Sequence, residues 1–152
     1  MARTPEITHK IMSAVKSKDT KPELALRQAL WARGLRYRVN VKSLPGKPDI
    51  VFTRAKIAVF CDGDFWHGHN WAIRGLPSLE AELERYSQFW RDKILGNIKR
   101  DNESSAKLEE DGWRVLRFWE SDIKADLLKC ADTVETEYRG VINSKEPKEV
   151  DL

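Results

Sequence analysis

Residues 45–70 read PGKPDIVFTRAKIAVFCDGDFWHGHN and hold the densest group of side chains able to do chemistry. Asp49 opens one apolar run, 49–52, and Asp62 follows a second, 56–61, with Thr53, Arg54 and Ala55 between them. Both runs are short and rich in β-branched and aromatic residues, the pattern of buried strands. A two-residue hairpin centred on Arg54 and Ala55 would pair residues whose numbers sum to 109. Asp49 then faces Phe60, and Asp62 projects from the same face one side-chain repeat further on. Two carboxylates and one or two backbone carbonyls meet at the open end of the hairpin, a hard-oxygen set suited to Mg²⁺. Phe65, Trp66, His67 and His69 follow on a glycine-rich loop. The group reads as a phosphodiester-cutting centre with an aromatic wedge beside it. Competing readings use the same residues. Asp49 after Pro48 suits a turn, Phe65 and Trp66 suit a core, and the two histidines suit an exposed loop. Asp62, Asp64, His67 and His69 also make a legitimate ligand set for a catalytic Zn²⁺.

The flanking segments must position this centre. A short helix is expected over 9–15, with Ile11, Met12 and Val15 apolar. A second should start at Asp19 or Thr20, with Pro22 and Glu23 in its first turn, and run to Arg33 before Gly34. Its apolar cover is Leu24, Leu26, Ala29, Leu30 and Trp31. Glu23, taken alone, complements the helix dipole. Residues 35–41 alternate as a half-buried strand, and Pro48 should leave Lys47 extended. After a loop over 70–78, one apolar stripe runs through Leu79, Leu83, Tyr86, Phe89, Trp90, Ile94, Ile98 and Leu108, broken near Ser87. Asn97 and Asp101 share a face of that helix, with Arg100 adjacent. A strand over 113–119 and a final helix over 120–139, with Ile123, Leu127, Leu128, Ala131 and Val134 inward, complete the pattern. The order α, α, β, β, β, α, β, α predicts an α/β fold: a mixed four-stranded sheet flanked by helices on both sides. One domain over 1–140 is expected, followed by a charged, disordered tail over 141–152.

Composition narrows the partners. A 152-residue chain fits one domain, and 41% hydrophobic against 34% charged residues is an ordinary globular balance. The net charge of +3 argues weakly for nucleic acid by itself, but Lys10, Lys16, Lys18, Lys21, Arg27, Arg33, Arg36, Arg38, Lys42 and Lys47 crowd the acid-poor first third. A solvated basic face is the competing explanation. Two cysteines without a CxxC pair exclude a disulfide framework and a cysteine-rich zinc site. No leader or membrane-spanning run is visible, so an intracellular, cytoplasmic protein associated with the nucleoid through DNA is expected.

In order along the chain, M-x-x-x-x-x-x-D-T-x-x-E (12–23), L-P-G-K-P-D (44–49), D-G-D-F-W-H-G (62–68), F-W-x-x-K-I-x-x-N-x-x-R-D (89–101) and G-W-R-V-L-x-x-W-E (112–120) resemble the very short patch repair (Vsr) endonucleases. These belong to the restriction-endonuclease-like PD-(D/E)XK superfamily. The resemblance implies a Mg²⁺-dependent enzyme, with one or two ions, that nicks duplex DNA on the 5′ side of a thymine mispaired with guanine. Under it Asp49 is the central metal-bridging carboxylate, and Cys61 lends its backbone carbonyl. His67 serves acid–base or water-organising work, and Glu23 and Asp101 hold metal-bound water. Phe65 and Trp66 wedge into the base stack, and Met12 inserts from the first helix. Lys16, Lys18, Lys47, Asn97 and Arg100 are the expected further DNA contacts. Two departures stand out. The positions that hold a structural zinc in many members read Asp64, His69, Trp71 and Ser121, so no structural zinc is expected, with Trp71 packing in its place. Asp62 replaces a histidine of some members and could ligate the metal directly. A monomer is expected, linked in function to a cytosine-5 DNA methyltransferase and to repair. Two rival functions are a broader nickase in restriction or phage defence and a non-catalytic mismatch binder.

Overall fold

Residues 19–145 are described by the structure, a computed structural model. The expected helix over 9–15, Met12, Lys16 and Lys18 lie outside the described residues, as does 146–152 of the expected tail. Thr20 starts the first described helix, α1 (Lys21–Ala32). Its hydroxyl accepts from the Glu23 N–H while the Glu23 carboxylate accepts from the Thr20 N–H. This capping box satisfies two of the orphan donors at the helix start. Leu26 and Leu30 are fully buried, each contributing about 1.5–3 kcal/mol relative to exposure. Leu24 and Trp31 prove exposed instead, because they sit on the opposite face of the helix.

The sheet runs β1 (Arg38–Val39), β2 (Ile50–Phe52), β3 (Ile57–Asp62) and β4 (Arg114–Trp119), in that spatial order. β1–β2 and β2–β3 are antiparallel, and β3–β4 is parallel. Ile50 pairs with Val59, Val51 with Ala58 and Phe52 with Ile57, the register expected from the hairpin. The 35–41 strand shrinks to two exposed residues. Its alternation fails because Asn40 adopts φ +48° and turns the chain, its amide donating to Asp19. Lys47 is not extended: φ is +53°, and its N–H closes a turn onto the Leu44 carbonyl.

Helices follow as α2 (Asn70–Ile73), a single turn inside the expected loop, then α3 (Leu79–Leu83) and α4 (Gln88–Glu110), separated at Ser87 as the pattern suggested. Phe89 leaves the apolar stripe and is exposed, while Trp90, Ile94 and Leu108 stay buried. The last expected helix divides into α5 (Glu120–Ala125) and α6 (Leu127–Lys145). Asp126 breaks it, because its carboxylate accepts from the Lys129 N–H and caps the second segment. α6 continues six residues past Arg139, and Leu128 points outward.

β3 is the hub. Ile57 and Val59 pack with α1 and α6 side chains on one face, among Leu26, Leu30, Ala131 and Val134. Ala58 and Phe60 pack with Leu108 of α4 on the other. The parity that buries Phe60 against α4 also turns Asp62 toward that helix.

Candidate active site

Past Ile50–Val59 the hairpin ladder departs from regularity. The Asp49 N–H donates to the Val59 carbonyl at 3.0 Å although the register pairs Val59 with Ile50, so two residues at the start of β2 oppose one on β3, as in a β-bulge. The Cys61 N–H donates to Asp49 Oδ2 at 2.7 Å. That is the sole hydrogen bond of the Asp49 side chain among the described residues. Burial pushes its carboxyl up to about 7; the Cys61 N–H opposes this, and the charges of Glu23 and Asp62 add to it. Glu23 is only 1% exposed and is held by Arg27 at 2.6 Å. Besides its place in the helix start it is a buried, paired acid near enough to Asp49 for its charge to act there.

Asp49, Cys61, Asp62, His67 and Asp101 line one cavity of about 470 Å³ together with Lys42 and Lys47. Four of the five expected catalytic acids and bases thus meet in a groove, and the fifth, Glu23, does not line it but acts on the charge of Asp49. His67 Nδ1 bonds Asp101 Oδ2, and His67 Nε2 lies 3.9 Å from Asp62 Oδ1. Burial lowers the affinity of His67 for a proton, yet the Asp101 bond and the Asp62 charge outweigh it and raise its pKa. Asp62 is only 6% exposed, and its pKa is raised chiefly by burial, against the pull of His67 and Arg117. Arg117 Nη1 stands 3.1 Å from both of its oxygens.

Among the described residues, Asp62, His67 and Asp101 are the set whose ligand atoms approach closely enough to hold a metal ion, within 4.8 Å of one another. The alternative ligand set of Asp62, Asp64, His67 and His69 divides in two. Asp64 accepts from His69 Nδ1 at 2.7 Å, from Ser121 Oγ at 2.6 Å and from the Ser121 N–H at 3.0 Å. The His69 ring stacks on Trp119 with centroids 4.0 Å apart. Trp71 lines the adjoining cavity with His69 and Trp119, and its backbone N–H is taken by buried Glu82. The loop carrying Phe65 and Trp66 is therefore tied to the start of α5 by side chains.

Phe65 and Trp66 are half-buried. Each lies 5.5 Å from Trp90, and Phe65 also lies 5.5 Å from Tyr86. The rings thus rest on an aromatic bed of Trp90 and Tyr86 while staying part-exposed. Asn97 Nδ2 donates to the Trp66 carbonyl at 3.0 Å and so braces the same loop. Arg100, Lys47, Lys42 and Lys107 line a second cavity, about 410 Å³, that shares Lys42, Gly46, Lys47 and Asp101 with the first.

Sequence reasoning missed Arg117, Ser105, Glu82 and the Trp90 bed. Arg117 had a visible signal: a cation in the middle of the strand run WRVLRFW, where apolar residues predominate.

A family model described as DNA mismatch endonuclease Vsr matches residues 2–73. A type II nicking enzyme of Neisseria meningitidis serogroup C, V.NmeDIP, is 48% identical over 90% of this chain and 88% of its own. V.HpaIIP, a type II nicking enzyme of Haemophilus parainfluenzae, is 46% identical over 79% of this chain and 82% of its own. The DNA mismatch endonuclease Vsr of Escherichia coli is 37% identical over 76% of this chain and 70% of its own.

Proposed function

Because the chain belongs to the Vsr family of DNA endonucleases and nicking enzymes, we propose that it nicks one strand of duplex DNA on the 5′ side of the thymine in a T:G mispair, with Mg²⁺ at Asp49. The observation that carries this reading is the convergence of Asp49, Asp62, His67 and Asp101 in one groove beside the half-buried pair Phe65 and Trp66.

The donors fit the ion. Asp49 is a buried carboxylate with one hydrogen bond and no ion pair among the described residues, and the charges of two further acids act on it. Asp49 and the Cys61 backbone carbonyl would hold Mg²⁺, a hard cation that takes few protein oxygens and leaves positions to water and phosphate. Bound there, the ion supplies charge neutralisation and water activation for an anionic diester.

The chain's own groups do the rest. Asp101 fixes the tautomer of His67 through Nδ1, leaving Nε2 to give or take a proton in the groove. Glu23 and Asp101 order water around the metal position. Lys47, Asn97 and Arg100 sit where a phosphate track can follow the groove. Phe65 and Trp66 enter the stack at the mispair, which unstacks at lower cost than a matched step. One cleft and one nick require no symmetry mate, so the chain acts as a monomer. T:G pairs arise where 5-methylcytosine deaminates, which links it to a cytosine-5 methyltransferase. No structural zinc is needed, because the Asp64, His69 and Ser121 hydrogen bonds already close the position at the loop base.

The names of the nicking-enzyme relatives favour a second reading, a nickase serving a restriction system with looser mismatch dependence. The site reading is tested with Asp49→Ala on a T:G duplex. Cleavage should vanish while binding persists, since a metal ligand goes but the wedge remains. A variant that still nicks at the parental rate would refute it.

A further inference from the structure

Arg117 reaches the groove from β4, opposite Phe60 in the parallel register with β3. Its guanidinium is fully engaged. Nη1 lies 3.1 Å from each Asp62 oxygen and 3.7 Å from Asp101 Oδ1. Nη2 donates to the Asp101 carbonyl at 3.2 Å, and Nε donates to Ser105 Oγ at 2.9 Å. The flat face rests on Phe60, with the carbon 3.9 Å from the ring centre. Planar, fork-like donation with aromatic stacking is what arginine does and lysine cannot.

This cation stands against two members of the Asp62, His67 and Asp101 set that could by geometry hold a metal. Asp49 is arranged differently. It has no ion pair among the described residues, and its neighbour Glu23 spends its charge on Arg27. The two halves of the groove thus differ in whether their carboxylates are already neutralised.

We infer that Arg117 is the resident cation of the Asp62, His67 and Asp101 half, reserving the divalent ion for Asp49 and making Asp62 a partner of Arg117 rather than a metal ligand. A dication entering the Asp62 side would meet a fixed like charge within a few ångströms, which low-dielectric surroundings penalise strongly. Arg117 is also a positioning residue. By gripping the Asp101 backbone and Asp62 together, it holds the carboxylate that orients His67. The inference rests on the reading of Asp49 as the metal position.

The test is Mn²⁺ binding to the full chain without DNA, followed by calorimetry and by the electron-spin signal of the free ion. Neither readout depends on turnover. The parent should bind Mn²⁺ at a site weakened more than about 100-fold by Asp49→Asn and less than about tenfold by Asp62→Asn. Arg117→Gln should expose an additional Mn²⁺ event, lost again when Asp62→Asn is added. Binding abolished by Asp62→Asn, or a folded Arg117→Gln protein that takes no further ion, would overturn the inference. Since Asp62→Asn keeps Arg117 in place, that variant alone decides the matter even where Arg117→Gln does not fold. Parental binding left unaltered by Asp49→Asn would bring down the Asp49 metal reading itself, a distinct outcome.

Discussion

Asp49 shows how one residue couples folding to the site. In the folded chain its carboxyl titrates at about 7 against an ordinary 3.8, because burial and two neighbouring acids disfavour the anion more than the Cys61 N–H favours it. The folded state therefore binds this proton more tightly than the unfolded state. Its contribution to stability is complete below about pH 4 and is lost as pH rises through about 7. Relative to Asp49→Asn, the metal-free parent should lose on the order of a few kcal/mol between those values, read from urea denaturation at a series of pH values. Mg²⁺ should restore much of it near neutrality. A pH-independent difference would contradict the placement of Asp49. Trp66 makes a separate prediction. Losing a ring worth about 1–3 kcal/mol of stacking should lower the preference for a T:G over a T:A duplex roughly 5- to 150-fold, measured as a ratio of nicking rates. An unchanged ratio would remove the wedge role. At this scale the carboxylates and rings were legible, since their types and spacing lie in one short stretch. Arg117 was not. It comes from a strand more than 50 residues downstream, and only the parallel β3–β4 pairing brings it beside Asp62.

The elements explain why the groove has its shape. Gly46 adopts φ +75°, and a Cβ there would lie 2.8 Å from Ser104 Cβ and 3.1 Å from a Phe60 ring carbon. The loop before β2 can thus press against α4 and carry Lys47 into the groove only without a side chain at this point. Gly46→Ala should cost about 1–3 kcal/mol in denaturant unfolding and weaken DNA binding through Lys47. A neutral effect would mean that the loop relaxes freely. The hairpin register followed from turn length and apolar parity, and the α1 start from a capping Asp19 or Thr20 ahead of Pro22 and Glu23. The strand over 35–41 and the unbroken last helix fail for one shared reason. Asn40, whose amide reaches Asp19 before α1, and Asp126, whose carboxylate bonds the Lys129 N–H three residues on, each use a polar side chain, so the backbone leaves the regular path that periodicity alone suggests.

The whole molecule joins a rigid sheet to a loop that is anchored twice. Asp64 ties the loop base to Ser121 and His69, and Asn97 holds the Trp66 carbonyl. β3 supplies the core on both faces and ends at Asp62, so a strand buried along nearly its whole length delivers that carboxylate to the site. Among the described residues no helix is long and apolar enough to cross a membrane. The chain-wide motif order pointed to the family, whereas substrate discrimination depends on how duplex DNA meets the groove and the rings together. The decisive measurement is therefore strand cleavage of a labelled duplex bearing one central T:G pair beside its T:A counterpart, in Mg²⁺ with and without EDTA. A nick confined to the 5′ side of the mispaired thymine and lost with EDTA is the predicted result. Equal cutting of both duplexes would contradict the mismatch-directed account and move the chain to a broader nickase.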